Sequence, residues 1–417
     1  MKMDHPQGPT DDGSTPPPAR LAMPDQRLDM APPFPKDPPS ARTILARLTA
    51  FGGAAAITAT GVWQMGQVFD TPGSSPLEIA LLVLFALTFG WIAFSAASAV
   101  AGLMFGPRAP TMLPEPLRAP ITTRTAILAP LYNEDPTETA GALAALGKGL
   151  ARMGLADRFD IFLLSDSRDP DALAREPAAF AALRAELPGG PAVWRRRRSV
   201  NTCKKAGNIR DFVERWGAAY DFILVLDADS LMDAETVAEM VRRMQANPRL
   251  GLLQTNPALI GGQTPWARMQ EFASSLYGAV IARGMAAWQG FDGNYWGHNA
   301  LIRTKAFAEA AGLPDLPGRA PFGGPILSHD FVEAALMRRA GWRVRMDPDL
   351  AGGFEGSPPS LLASAIRDRR WAQGNLQHLG VIGASGLRWP NRAHLAIGVG
   401  SYLASPIWLM MMLVGLA

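Results

Sequence analysis

The 417-residue sequence has a single cysteine, Cys203, which excludes a disulfide framework and fits a reducing compartment. Lysine and arginine outnumber aspartate and glutamate only by 40 to 37, so the net charge gives no reason to expect binding to nucleic acid. The chain also lacks a G-x-x-x-x-G-K-[ST] motif, which excludes a P-loop phosphate site. A disulfide-stabilised secreted domain, a nucleic-acid-binding protein and a P-loop enzyme are therefore all disfavoured.

Charged residues are absent from three long runs of the chain. Residues 48–68 form a run of 21 residues without a charge, residues 79–105 a run of 27, and residues 395–417 a run of 23. Each exceeds the roughly 20 residues that a helix needs to cross the hydrocarbon core of a bilayer. Buried helices of soluble proteins rarely run beyond about 14 residues. The sequence therefore predicts three membrane-spanning helices, and the first lies too far from the N-terminus to be a signal peptide.

The basic residues beside these runs predict the orientation of the helices. The loop at residues 70–76, between the first two runs, carries no lysine or arginine, whereas the other flanks are basic. Because basic flanks stay on the cytoplasmic side, the N-terminus and the segment after the second run are expected in the cytoplasm. The residues that support this orientation are Arg42, Arg47, Arg108, Arg118, Arg388 and Arg392.

These runs divide the chain into four parts. Residues 1–41 are rich in proline, aspartate and serine with little periodicity, which is typical of a disordered tail. Residues 42–105 hold the first two membrane helices, residues 106–390 form a cytoplasmic domain, and residues 391–417 begin the third membrane helix. Because the chain stops inside that last run, we expect the protein to be longer than this sequence.

Residues 106–390 alternate strand-like and helix-like runs, which predicts an α/β domain with a mostly parallel sheet. Strands are predicted at residues 125–130, 159–167 and 222–226, and helices at 137–153, 171–187, 204–216 and 234–246. Three of the strands end in turns that carry carboxylates. Because ligands bind at the carboxyl ends of parallel strands, these turns indicate a shared cation and polar ligand. Their acids are Glu134 and Asp135, Asp166, and Asp227 and Asp229.

The stretch FILVLDADS, residues 222–230, has the most informative of these turns. In an extended chain Asp227 and Asp229 face the same side, because side chains alternate with period two. Two adjacent carboxylates repel each other unless a positive charge lies between them, and a divalent cation is the usual solution. Two alternatives remain open, namely that Asp229 caps the helix that begins near Ala234 or lies in a solvated turn.

One dense basic run, RRRRSVNTCKK, covers residues 195–205. It could be a solvated strand end, and a nucleic-acid patch is disfavoured because no aromatic residues are interleaved. A third interpretation is that part of the run faces an anionic ligand beside the carboxylates. Acids that hold a cation, with bases nearby, together describe a diphosphate site.

Seven motifs follow one another along residues 120–385. As an ordered set they resemble the processive, membrane-embedded glycosyltransferases of family 2, which are related to cellulose synthase, and in particular those that make osmoregulated periplasmic glucans. The resemblance implies a GT-A-like, Rossmann-type domain flanked by transmembrane helices. The motifs are PLYNED, LLSDS, KAGNIRDF, LDADS, YWGHNALIR, LSHDFVEAALMRRAGW and RDRRWAQGN.

The resemblance assigns a donor site for a nucleotide sugar. It implies that an aromatic residue and a strand-end acid hold uracil, that a lysine contacts the nucleotide, and that the D-x-D pair lies by the ribose and diphosphate. The second acid of that pair would bind Mg²⁺ or Mn²⁺, with the first beside it. In this chain the nucleotide-sugar residues are Tyr132, Glu134, Asp166, Lys205, Asp227 and Arg370, and the metal residues are Asp229 and Asp227.

The resemblance also assigns the catalytic and acceptor residues. The T-E-D motif of the family appears here as Ser328, His329 and Asp330, so Asp330 would be the general base; the alternative is that it only caps the following helix. The Q-x-x-R-W motif has arginine at position 367 in place of glutamine. The residues expected beside the acceptor are Trp371, which could instead be a packing residue, and His298 and Asn299 of the W-G-H-N motif.

The function expected from this resemblance is that of an inverting glucosyltransferase in the bacterial inner membrane. It would polymerise glucose from UDP-glucose into the linear β-1,2-glucan backbone of osmoregulated periplasmic glucans. Its expected partners are the growing glucan, the lipid bilayer and other periplasmic-glucan synthesis proteins, with no nucleic acid. The alternatives are another β-glycan synthase of the cellulose or hyaluronan type, or a membrane-anchored, nucleotide-binding regulator with a vestigial catalytic set.

Overall fold

The computed structural model describes residues 14–32, 37–69, 75–107 and 119–416. Two long helices precede an α/β domain, and a third long helix follows it. The helices are α1 (Ala41–Gly66), α2 (Pro76–Phe105), α3 (Pro136–Arg152), α4 (Pro170–Glu186), α5 (Lys204–Trp216), α6 (Ala234–Gln245), α7 (Pro265–Ala273), α8 (Ala279–Gln289), α9 (Thr304–Ala310), α10 (His329–Arg339), α11 (Leu361–Leu376) and α12 (Trp389–Leu416). The strands are β1 (Thr125–Leu131), β2 (Phe159–Ser165), β3 (Ala192–Arg197), β4 (Phe222–Val225), β5 (Leu231–Met232), β6 (Leu250–Gln254), β7 (Ala258–Leu259), β8 (Ala300–Arg303), β9 (Arg343–Met346) and β10 (Gly353–Glu355).

The central sheet has seven strands in the order β3-β2-β1-β4-β8-β6-β9. Every neighbouring pair is parallel except the two that involve β8, which runs antiparallel to β4 and β6. The predicted α/β fold with a mostly parallel sheet is therefore confirmed. A second, three-stranded sheet pairs β5 with β10 and β10 with β7, which brings residues 353–355 beside the end of the D-x-D turn.

Strands β1, β2, β4 and β6 are buried on both faces, as expected for a sheet between two layers of helices. Alternate residues of β1 enter opposite cores: Ile127 and Ala129 one, Ala126 and Leu128 the other. Helices α3, α4 and α6 cover the first core, and α5, α9 and α10 cover the second. This arrangement holds the carboxyl ends of β1, β2 and β4 at one edge, where the predicted acidic turns lie.

Two Asp-Pro pairs explain where α3 and α4 begin. Asp135 caps α3 by accepting a hydrogen bond from the Thr137 amide, and Asp169 caps α4 in the same way. In both helices proline follows at the first helical position, where its fixed φ suits the helix and its missing amide proton costs nothing. The helices therefore start directly after the first and second acidic turns.

Three of the described helices, α1, α2 and α12, are long and apolar enough to cross a membrane. They lie at the three predicted apolar runs. Helix α2 packs closely on α8, since a Cβ atom placed on Gly102 would lie 2.5 Å from the Gly284 nitrogen. Two of the basic residues that predict the orientation, Arg108 and Arg118, lie outside the described residues.

The structure differs from the prediction that residues 1–41 form a disordered tail. Residues 14–32 lie extended against the α/β domain, with Met23 only 4% exposed. Arginine side chains hold the backbone here, as in the 2.9 Å bond from Arg339 Nη1 to the Arg27 carbonyl. A proline-rich segment buries few side chains, so its composition resembles disorder, yet its carbonyls are free to accept such bonds. Residues 1–13 and 33–36 lie outside the described part of the chain.

Candidate active site

The D-x-D turn lies at the carboxyl end of β4, where the predicted site begins. A tight turn follows, in which the Asp227 amide donates to Ser230 Oγ at 2.9 Å. Asp229 lies within this turn and is exposed. The helix after it is capped at Asp233, so the alternative that Asp229 caps this helix is wrong.

Lys205, at the start of α5, connects the D-x-D turn to the W-G-H-N loop. Its ammonium group pairs with Asp227 Oδ1 and donates to the Gly297 carbonyl at 2.7 Å. The same carbonyl accepts from the buried Tyr295 hydroxyl at 2.9 Å. Gly297 has a φ of +87°, and a Cβ atom there would lie 3.3 Å from Asp330 Oδ2. Gly297 is therefore the point at which the expected donor residues meet the expected base.

Asp330 occupies the second position of α10 and is partly buried. The N-cap residue of this helix is Ser328, so the alternative that Asp330 serves as the N-cap is wrong. Burial raises the pKa of the Asp330 carboxyl above its ordinary value; the nearby His329 imidazole acts against this and the Glu333 carboxylate adds to it. Asp330 is thus shifted toward the protonated form that a general base must reach during proton transfer.

His329 and Glu333 form a buried pair next to the expected base. His329 Nδ1 lies 3.0 Å from Glu333 Oε2, one turn along the helix. Burial works to lower the pKa of the imidazole, but the Glu333 carboxylate outweighs it and leaves that pKa raised. Both residues lie in the motif LSHDFVEAALMRRAGW, but the sequence analysis assigned a role to neither of them.

Four carboxylates influence one another around the D-x-D turn. Partial loss of water around the carboxyl group is the main cause that raises the pKa of Glu134, Asp229 and Glu355, and the charge of Asp227 raises each of them further. Burial would raise the pKa of Asp227 as well, but the Lys205 ammonium and the His298 imidazole outweigh it and lower that pKa. The turn therefore carries more negative charge than Lys205 and His298 balance.

This donor set fits a magnesium or manganese ion. Among the residues that the structure describes, no group of three His, Cys, Asp or Glu side chains has the geometry of a closed metal site. Such ions are often held by only one or two carboxylates, with substrate phosphates and water as the other ligands. Asp229, with Asp227 beside it, supplies oxygens of that kind.

Glu355 is the residue beside the D-x-D turn that the sequence analysis missed most clearly. Its Oε2 lies 3.0 Å from His298 Nε2. The pairing of β10 with β5 brings it near the D-x-D turn, and a Cβ atom on the next residue, Gly356, would lie 3.3 Å from Asp229 Oδ2. Because more than 100 residues separate Glu355 from Asp229 in the chain, no local pattern in the sequence could have shown this contact.

Two arginines of the basic run, which begins inside β3, have structural partners. Arg198 makes two hydrogen bonds to Asp166, of 2.7 and 2.6 Å, and Arg196 is buried beside them. The expected uracil-binding residue Asp166 is only 3% exposed and is oriented by Arg198. The interpretation of the run as a solvated strand end is therefore wrong for Arg196 and Arg198.

The other expected donor residues lie in the loop after β1. The Tyr132 side chain is exposed, and its amide donates to the Glu134 carboxylate. Between them Asn133 has a φ of +69°, and its Oδ1 accepts from the amides of Arg168 and Asp169. Asn133 thus joins the first acidic turn to the second and leaves the Tyr132 ring free for a ligand.

The two residues of the W-G-H-N motif expected at the acceptor differ in accessibility. His298 keeps some exposed surface, whereas the Asn299 side chain is completely buried. The Asn299 carbonyl accepts from Thr255 Oγ1 at 2.8 Å, and its backbone has a φ of +48°. Asn299 therefore supports the loop from behind, and direct contact with an acceptor is open only to His298.

Helix α11 carries the R-W pair beside an open cavity of about 530 Å³. Arg370 lines this cavity, and Trp371 is 42% exposed, so it is not a core residue. Arg367, in the place of the family's glutamine, lies over the Trp371 ring at 4.3 Å. Asn375 donates to the Trp371 carbonyl at 2.9 Å and to Ser328 Oγ at 3.3 Å, which connects α11 to the start of α10.

The matches to known proteins agree with this geometry. Residues 126–310 match the family model described as "Glycosyl transferase family 2", and residues 222–417 match the one described as "Glycosyl transferase family group 2". Together the two models extend from the first strand of the sheet to the end of the chain. The proposed base and both residues of the D-x-D pair lie inside these matches.

Curated relatives are similar over nearly the whole chain. The glucans biosynthesis glucosyltransferase H of Vibrio cholerae serotype O1 (strain ATCC 39541 / Classical Ogawa 395 / O395) is 48% identical over 411 residues, which are 97% of this chain and 57% of the relative. The protein of the same name from Shewanella sp. (strain ANA-3) is 49% identical over 371 residues, 89% of this chain and 51% of the relative. The chain thus spans about half the length of these relatives.

A solved structure shows the same fold. The mannosyltransferase PcManGT from Pyrobaculum calidifontis, in complex with GDP-Man and Mn²⁺, has a TM-score of 0.51 and 18% sequence identity. The similarity covers 80% of this chain and 85% of that structure. The predicted GT-A-like fold is therefore confirmed. The two family models, which together match residues 126–417, and the curated relatives show that the chain belongs to the family 2 glycosyltransferases.

Proposed function

We propose that this protein is an inverting glucosyltransferase of the bacterial inner membrane. It polymerises glucose from UDP-glucose into the linear β-1,2-glucan backbone of osmoregulated periplasmic glucans. One observation carries the catalytic part of the proposal. Gly297 accepts from the Lys205 of the Lys205–Asp227 pair and lies against Asp330, so a donor anchored at the D-x-D turn would lie beside a carboxylate that can take a proton. The glucan product is inferred from the names of the relatives.

The donor would lie across the acidic edge of the sheet. Tyr132 supplies an exposed ring for the base, and Lys205 and Arg370 supply positive charge for the diphosphate. Asp229 and Asp227 would hold Mg²⁺ or Mn²⁺, which neutralises charge on the departing UDP. The Mn²⁺ and GDP-Man in the complex of the mannosyltransferase support a metal-dependent nucleotide-sugar site in this fold.

The transfer step balances as a single displacement. An acceptor hydroxyl gives its proton to the Asp330 carboxylate while its oxygen bonds to the anomeric carbon of glucose. The bond from that carbon to the diphosphate breaks at the same time, and UDP leaves with the electron pair. One in-line displacement inverts the anomeric carbon, so an α-linked donor gives a β-linked glucan.

The acceptor would approach from the side of His298 and Trp371. Trp371 presents an exposed ring, and aromatic rings pack well against sugars. Asn375 fixes the Trp371 backbone to Ser328, only two residues from Asp330. These hydrogen bonds connect the start of α10, which carries Asp330, to the part of α11 that carries Trp371.

The membrane helices support the proposed location. Helices α1, α2 and α12 would cross the inner membrane, with the α/β domain in the cytoplasm, where UDP-glucose is made. Exposed apolar residues on α7, α8 and the segment between them extend this apolar surface toward the membrane side of the domain. These residues are Met269, Phe272, Leu276, Tyr277 and Ile281.

A direct assay tests the proposed function. The full-length protein in lipid vesicles is given labelled UDP-glucose with Mg²⁺ or Mn²⁺, and the linkage of the product is determined. We expect a β-1,2-linked glucan and its loss in excess chelator. A β-1,4-linked polymer would support a cellulose-type synthase instead. Nucleotide binding without any transfer, by protein shown to be folded, would support the regulator with a vestigial catalytic set.

A further inference from the structure

A buried carboxylate, Asp292, lies between the α/β domain and the membrane helices. It is 2% exposed and sits in the turn after α8, shortly before the W-G-H-N loop. Three arginines from different parts of the chain converge on its two oxygens at 2.6 to 2.7 Å. They are Arg47, Arg338 and Arg388.

The three arginines belong to three different elements of the chain. Arg47 lies in α1, and Arg388 directly precedes α12, so both move together with helices that are long and apolar enough to cross a membrane. Arg338 lies in α10, the helix whose first turn carries Asp330. Asp292 therefore connects the helix of the proposed base to the first and third apolar helices through one group.

Asp292 and its three arginines, together called the joint, are held by further contacts. Arg47 also donates to the carbonyls of Trp288 and Gln289, at 2.8 and 3.1 Å, and its guanidinium lies 5.1 Å from the centre of the Trp389 ring. His394 Nε2, in α12, lies 3.2 Å from the Asp292 carbonyl. Nearly every polar contact here is buried, so water cannot easily replace one that is lost.

Among the described residues, Asp292 is the acid that forms ion pairs with these three arginines, and Asp37 acts on Arg338 only from a distance. One carboxylate faces three guanidiniums, all with side chains at most 17% exposed. Buried charges that lose their partner are strongly unfavourable, so loss of the Asp292 charge would drive the arginines apart or toward water. The elements that carry them would then shift relative to one another.

We propose that Asp292 is a positioning residue for glucosyl transfer: it fixes α10, and with it Asp330, against the membrane helices. The inference rests on the proposed function, because Asp330 is the base only in that mechanism. Asp292 touches neither the D-x-D turn nor Lys205, so its effect reaches the reaction through Arg338 and α10.

The test is Asp292→Asn in the full-length protein in lipid vesicles. Folded molecules are counted by UDP binding, and kcat and KM for UDP-glucose are expressed per binding site. We expect kcat per site to fall by about 10²-fold, the effect of a displacement of about 1 Å at a reacting group, with KM nearly unchanged. Hydrogen exchange of the α10 amides should increase in the same protein.

A matched control separates positioning from general destabilisation. Asp160→Asn also removes a buried carboxylate that pairs with an arginine, Arg124, but at the amino end of β2, away from the membrane helices. It should leave kcat per site and exchange of α10 unchanged. Equal behaviour of the two variants, or an unchanged kcat per site in Asp292→Asn, would overturn the proposal.

Two further measurements cover a failure to fold or a failure of the proposed function. If Asp292→Asn does not fold, Arg388→Gln removes one excess cation and should lower kcat per site in the same direction; an unchanged kcat would count against the joint. If the wild-type protein transfers no glucose, the proposed function fails. Exchange of α10 in Asp292→Asn, compared with Asp160→Asn, still decides whether Asp292 holds that helix.

Discussion

Replacing Asp330 by asparagine separates the proposed enzyme from the regulator with a vestigial site. Asparagine keeps the size of the side chain but cannot take a proton from the acceptor. A positioned general base contributes roughly 10²- to 10⁴-fold, so transfer should fall by that factor, which is about 2.7 to 5.4 kcal/mol of barrier. Binding of UDP-glucose should stay nearly unchanged, because the hydrogen-bond and ion-pair partners of Lys205 are Asp227 and Gly297 and not Asp330.

The structure also limits how much stability this substitution can cost. Asp330 lies in the first turn of α10, where a negative charge stabilises a helix by about 0.3 to 1 kcal/mol. Burial, which raises the pKa of Asp330, disfavours the same charge. The two effects oppose each other, so the free energy of unfolding should change by less than about 1 kcal/mol.

The assay measures radiolabelled glucan formation and UDP-glucose affinity on the same vesicle preparation. Asp169→Asn is the control, since it makes the same change at the start of α4, where asparagine caps about as well as aspartate. It should keep both activities. Transfer by Asp330→Asn within threefold of wild type, with binding intact, would refute the assignment of Asp330 as the base.

Three more predictions address other parts of the structure. Gly297→Ala should lower turnover and cost about 1 to 2 kcal/mol of stability, because a residue with a Cβ atom is strained at this φ and the new atom meets Asp330 Oδ2. A thermal melt and initial rates check this, and wild-type values for both would contradict it. The acid limb of kcat/KM against pH should lie above the ordinary range of an aspartate, because Asp330 must be unprotonated to act as the base and its pKa is raised. His329→Gln should move that limb to still higher pH, since the His329 imidazole lowers the pKa of Asp330. A limb that stays in place would show that His329 does not influence the base. Met23→Ala should lower the free energy of unfolding by about 2 to 5 kcal/mol and speed proteolysis of residues 14–32, because Met23 is buried in the second core. If the segment were disordered, neither the unfolding free energy nor the rate of proteolysis would change.

The sheet and its helices could be predicted because the signals that define them are local. The β1 strand predicted at residues 125–130 is Thr125–Leu131, and the helix predicted at 137–153 is Pro136–Arg152. Continuous apolar runs mark strands buried on both faces, and the Asp-Pro pair marks a helix start. The strand predicted to end at residue 167 ends at Ser165, because the chain turns there to place Asp166 against Arg198.

The candidate site was predictable only in its motif residues. Tyr132, Asp227, Asp229 and Asp330 lie on turns or helix starts at the ligand-binding edge of the sheet, where motif and topology agree. The burial of Asn299 was not foreseen, because the motif identifies which residues gather at the site but not which of them faces the ligand. The D-x-D turn and Asp330 keep their assigned roles as predictions that the experiments above decide.

The remaining features depend on pairs that are far apart in the chain. Glu355 reaches His298 through a small sheet, and Asp292 reaches Arg47 across 245 residues, so neither pattern is visible in any sequence window. Both pairs join elements that a motif reading treats separately: the donor turn with the acceptor loop, and the catalytic domain with the membrane helices. The proposed glucan synthase would have to keep its base and its donor site in a fixed relative position through many transfers. Isolated motifs can supply the chemistry of a single transfer, but only long-range contacts of this kind can keep that position fixed from one transfer to the next.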